Sequence, residues 1–145
     1  MIERINGLFG QFIKKLEEQL PVTSKPEMAK QELIPIINQL VIFRPSVLAF
    51  RAGQTVNPKV RQRNQFFNKP ADKFIVVYKS NSQTFASEIE DFLINYYRDH
   101  RKNFNFALDP RGRTSDKSPH MVYIRIKKRF IANLLDKIQD LIRDE

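Results

Sequence analysis

A chain of 145 residues with 25 Lys and Arg against 16 Asp and Glu carries a formal net charge of +9, a balance that speaks to polyanionic partners and not to fold. Without cysteine it has no disulfide, no thiolate zinc site and no cysteine nucleophile. The length fits one domain, residues 1–145, burying roughly 68% of its unfolded surface, and 12 Phe must supply the bulk of its core because Trp is absent.

Residues 2–19 have the spacing of an amphipathic helix: Ile5, Leu8, Phe9, Phe12, Ile13 and Leu16 form a stripe that reads as a core face. Gly7 and Gly10 each weaken that helix by about 1 kcal/mol relative to Ala, so tertiary packing must hold it. The charges among these residues break every apolar run, which fits no signal peptide, and no segment nears the ~18 consecutive apolar residues of a membrane span. A cytoplasmic protein that does not engage a membrane is the expectation. After the break at Pro21–Pro26, Ser24 and Glu27 have capping-box spacing for a helix starting near Pro26. Pro35 should kink it or split it into two short helices ending near Leu40.

Val47, Leu48, Ala49 and Phe50 read as a short strand or an extended edge segment, and residues 51–71 as a basic arm or loop. From Leu33 to Ala71 there is no Asp or Glu, whereas Arg44, Arg51, Lys59, Arg61, Arg63 and Lys69 are all cationic. Residues 73–79 then form a bulky, nearly continuous apolar strand that should be covered on both faces, or nearly so. The following helix, from about Ser82 to His100, has Phe85, Ile89, Phe92, Leu93 and Tyr96 on one face and Ser82 or Thr84 as N-cap. A polar loop, 103–119, leads to a second strand at 120–127. The last helix spans about 129–143, its seam of Ile131, Leu134, Leu135, Ile138, Leu141 and Ile142 suited to packing on the sheet or, as the alternative, to a homodimer contact. The fold class expected is α+β (or α/β): a small sheet with three or four packed helices and helical termini.

The chemistry most in keeping with this pattern is phosphate binding. Lys59, Arg61 and Arg63 stand with Phe66 and Phe67, and Arg111 and Arg113 lie in the second loop. Cations interleaved with aromatics suit a nucleic acid, because Arg meets phosphate in a bidentate fork while an aromatic ring stacks on an unpaired base. The alternative is a protein-interaction module, forming a homodimer or taking an acidic partner. A third reading is a divalent-metal-dependent nuclease built on Glu88, Glu90 and Asp91, with His100 or His120 as base; only there would Mg²⁺ be required, and otherwise no cofactor is expected. With four Gly the chain has neither a phosphate-binding Walker loop nor a dinucleotide fingerprint, so the balance leans away from an enzyme.

The stretch Ala86-Ser-Glu-Ile-Glu-Asp-Phe-Leu-Ile-Asn-Tyr-Tyr97, with Asn103 or Asn105 beyond it, resembles the second half of GIY-YIG-type nuclease domains. In that family a helix with a metal-binding Glu is followed by a similar Leu-Ile-x-x-Tyr and an Asn, and the resemblance assigns that Glu to Glu90. The Gly-Ile-Tyr and Tyr-Ile-Gly tripeptides and the catalytic Arg of the family are missing here. The resemblance therefore implies a related fold without the catalytic machinery.

Overall fold

The computed structural model describes residues 2–58, 65–66, 69–70, 73–103, 118–129, 138 and 141–142. Its elements are α1 (Ile2–Glu18), α2 (Pro26–Ile37), a π-helical turn (Asn38–Ile42), β1 (Val47–Thr55), β2 (Gln65–Phe66), β3 (Lys69–Pro70), β4 (Lys73–Ser80), α3 (Gln83–Tyr96) and β5 (His120–Lys128). The class is α+β.

The last strand in sequence is the middle strand in space. The sheet order is β1-β5-β4, with β5 antiparallel to both neighbours. The edges are extended by parallel bridges, Val22 beside Tyr78 and Asn103 beside Phe50. β2 and β3 form a separate two-stranded ladder in which Phe66 faces Lys69.

Alternation along β5 divides the sheet into two faces. Val122, Ile124 and Ile126 share one face with their cross-strand partners Ala52, Phe50, Ile75 and Tyr78. This is the core face, and α3 lies over it through buried Ala86, Ile89 and Leu93, with the Ser87 hydroxyl donating to Gln54 Oε1 at 3.1 Å. α2 adds Ala29, Leu33, Ile36 and Ile37 to the same core. The other face carries Tyr123 and Arg125, opposite Gly53 and Arg51 on β1 and Val76 and Phe74 on β4.

Several expectations need correction. β1 is a full nine-residue strand running through Thr55, so the stretch read as a loop from residue 51 begins as sheet; Phe50, Ala52 and the close approach at Gly53 each have a partner on β5. β4 is not covered on both faces: only Val77 and Tyr78 are buried, because β4 lies at an edge of the sheet. The Ser24–Glu27 capping box does not form. Lys25 is the N-cap residue without a side-chain cap, and Ser24 donates instead to Glu32 Oε1 at 3.1 Å. Pro35 does not split α2; the helix continues to Ile37 and then widens into the π-turn.

The apolar stripe of α1 is only partly core. Ile13 is 7% exposed, but Leu8, Phe9 and Phe12 are 63%, 50% and 44% exposed, because the first half of the helix extends past the body it packs on. On α3 the buried face is Ala86, Ile89, Glu90 and Leu93, while Phe85 and Tyr96 are exposed. The helix is rotated by about one residue so that small Ala86 meets the core. Of the seam expected for a last helix over 129–143, Ile138, Leu141 and Ile142 are exposed, and Ile131, Leu134 and Leu135 lie outside the described residues.

Candidate nucleic-acid interface

Three stretches without an acidic residue meet at one end of the sheet: residues 44–58, 100–103 and 118–129. The meeting point is the turn between the π-turn and β1. Arg129 N donates to Ser46 O at 2.8 Å and Arg129 Nε to Pro45 O at 2.7 Å, which ties the end of β5 to the start of β1. Phe50 N donates to Lys102 O at 2.9 Å, which ties the chain after α3 to the same place.

Lys102 is the centre of this joint. It is 4% exposed, and its ammonium donates to Val41 O at 3.3 Å, Ile42 O at 3.0 Å and Arg44 O at 2.8 Å. These carbonyls lie at and just past the C-terminal end of the π-turn, where positive charge is favoured; Val41 O also accepts from Arg44 N at 3.4 Å and Arg44 O from Val47 N at 3.1 Å. Burial, then the nearby charges of Arg101 and Arg129, hold the Lys102 ammonium below the ordinary lysine value. Both of those neighbouring charges are cations, and each disfavours the charged ammonium.

His100 senses the same field. Burial, then Lys102 and Arg101, lower its pKa below the ordinary histidine value. Its neutral Nδ1 accepts from the Lys102 backbone N–H at 3.1 Å, a bond that only the unprotonated ring nitrogen can make. Tyr97 closes the back of the joint: it is buried, its hydroxyl donates to Asn38 Oδ1 at 2.9 Å, and its ring meets Phe50 edge-on at 5.7 Å. Burial, then neighbouring Tyr96, raise its pKa.

From this joint the cations run back along β5. Lys128 stands opposite Val47, Lys127 opposite Ala49, and Arg125 directly opposite Arg51. Lys127 and Arg125 share the face turned away from α3 by the alternation of the strand. Tyr123 continues that face, stacked on Phe74 with centroids 4.6 Å apart and ring planes 24° from parallel. Arg125 and Tyr123 are buried, whereas Arg51, Phe74, Lys127 and Lys128 are half-buried and Arg101 and Arg129 are exposed. Arg101 and Arg129 are thus the more exposed cations of this joint, and Arg51, Lys127 and Lys128 form a half-buried rim beside them.

Of the residues expected from sequence to bind nucleic acid, Lys59, Arg61, Arg63, Phe67, Arg111 and Arg113 lie outside the described residues, and for Phe66 only the backbone, in β2, is described. Glu90 is 8% exposed in the inner face of α3, and among the described residues no group of three His, Asp or Glu side chains gathers around a common point. His120 is buried as the first residue of β5, opposite Ser80. Among the described residues no helix is long and apolar enough to cross a membrane.

Sequence reasoning missed Arg101, Lys102 and Lys127–Arg129 as one cluster. The signal was present in each piece, a cationic helix end and a Lys-Lys-Arg run, but the pieces are joined only by the non-local pairing of β5 with β1. Comparison with known protein families, curated proteins and solved structures gives no match to this chain.

Proposed function

We propose that this protein is a non-enzymatic domain that binds nucleic acid by its phosphates. One observation carries the reading: the acid-free stretches 100–103 and 118–129 are both hydrogen-bonded to the acid-free stretch 44–58, which gathers their cations at one end of the sheet. In this reading Arg101, Arg129, Lys127 and Lys128 hold phosphates at that end. Lys59, Arg61, Arg63, Arg111 and Arg113 are read from the sequence alone as further phosphate contacts, with Phe66 or Phe67 stacking on bases. Arg meets phosphate oxygens as a fork, and several such contacts release several counterions, so binding falls steeply with salt.

A Glu90-centred nuclease has less in its favour. Its carboxylate is turned into the packed face of α3, and hydrolysis needs a carboxylate that reaches both a metal and water. Titration of fluorescent single-stranded DNA and RNA at low and near-physiological salt tests the proposal. Binding at low salt that weakens as salt rises is expected; absence of binding at low salt refutes it. Incubation of plasmid with Mg²⁺ or Mn²⁺ and a Glu90→Gln control addresses the nuclease, which requires cleavage that the substitution abolishes.

A further inference from the structure

From Gly7 to Phe12, every residue of α1 is exposed to solvent, yet three of them are large and apolar, Leu8, Phe9 and Phe12. They continue in helical steps of three and four into Ile13 and Leu16, which pack on the body. Two turns on, the same helix borders an open groove of about 340 Å³ lined by Leu16, Gln19, Val22, Pro35 and Ile36, with Glu32 on its rim. An isolated helix this short is marginal in water, and its stability comes from a buried apolar face. Here that face has been left in solvent beside a groove with an apolar floor.

We propose that α1 is a self-association surface, and that two copies of the chain pair their α1 helices antiparallel about a two-fold axis. The placement of stripe and groove on one helix is what selects a second copy as occupant. In an isologous contact residue i meets j and j meets i, so one antiparallel pairing seats each stripe in the other chain's groove. A parallel pairing would bring stripe against stripe and leave both grooves empty. With Phe12 over the partner's Leu16, Phe9 lies over the partner's Gln19. Charge is complementary too: exposed Lys15 flanks the stripe and Glu32 rims the groove. Lys14 projects from the opposite side of the helix, so the two copies of it do not meet at the axis. This surface is separate from the cationic end of the sheet, and its existence does not depend on nucleic-acid binding.

Sedimentation velocity over a range of protein concentrations, without polynucleotide, tests the proposal. A reversible dimer is expected, and Phe12→Glu should weaken it by about tenfold or more while leaving the circular dichroism and melting temperature close to those of the parent. The register has its own test because the chain has no cysteine. Phe9→Cys chains mixed with Gln19→Cys chains should form a disulfide-linked dimer on mild oxidation in preference to either variant alone. A monomer at all concentrations overturns the proposal. So does a dimer that survives Phe12→Glu but is lost on Leu141→Glu, which would place the contact in the C-terminal segment. A monomer that binds phospholipid vesicles through Phe12 also overturns it.

Discussion

Gly53 has no side chain because Tyr123 fills the space one would occupy. A Cβ built there would run into the Tyr123 hydroxyl and ring, and the ring is held in place by its stack on Phe74. Gly53→Ala should therefore force the tyrosine off its site and destabilise the fold by about 1–3 kcal/mol, the usual cost of overpacking, read as a lower denaturant midpoint. An unchanged midpoint would mean that the ring has room to move. His100 offers a residue-scale test by pH. Its folded pKa lies below its unfolded one, so the native chain binds fewer protons in the window between them. Its contribution to stability is complete above the unfolded value near 6.5 and is lost as pH falls through the lowered folded value. Loss of the bond from the Lys102 N–H to neutral Nδ1 is the structural counterpart. Denaturation at several pH values between 5 and 7 should show stability falling with acidity. His100→Asn, which keeps an acceptor but does not titrate, should flatten that slope, and a parent slope retained in the variant would contradict the assignment.

At the scale of elements, the interior of α1 contains two glycines with no packing reason to be there. Nothing lies within 4 Å of a Cβ built on Gly7 or Gly10, and both are on the side of the helix away from Leu8 and Phe12. Gly10→Ala should stabilise the chain by about 0.5–1 kcal/mol through helix propensity, measured as a raised midpoint, and a destabilised variant would show that something packs against that side. Elements were legible in the sequence where a local rule decided them. Ser82 caps α3, accepting from Phe85 N at 3.2 Å, and β4 and β5 fall where β-branched and aromatic residues cluster. Where tertiary contacts chose, local rules failed. Ser24 had capping-box spacing but turned to Glu32, because the segment at Val22 is held to β4 by Val22 N to Val77 O at 2.9 Å and by the Tyr78 hydroxyl donating to Ser24 O at 2.8 Å. Of the stripe read on α3, Ile89 and Leu93 are buried and Phe92 packs on the core, but Phe85 and Tyr96 are exposed, since periodicity marks apolar residues and does not know that small Ala86 must face the core.

For the whole molecule, what matters is which distant segments the topology brings together. Net charge and the acid-free run from Leu33 to Ala71 were plain in the sequence. That β5 would insert between β1 and β4, carrying Lys127–Arg129 to the turn at Pro45, was not, because antiparallel pairing across some 80 residues leaves no local trace. The same topology puts α1 at the far margin of the core, so that Ile13 and Leu16 of its stripe reach the core while Leu8, Phe9 and Phe12 stay in solvent. The central claim, that the cations at the Pro45–Arg129 joint contact phosphates, is tested most directly by the salt dependence of binding to a fluorescent single strand. The parent and the Arg101→Ala and Arg129→Ala variants would be compared, each first checked for an unchanged melting temperature. The account predicts a linear fall of log affinity with log salt for the parent, with a slope lower by about 0.7 for each phosphate contact removed. Parallel lines of equal slope for all three proteins would contradict it.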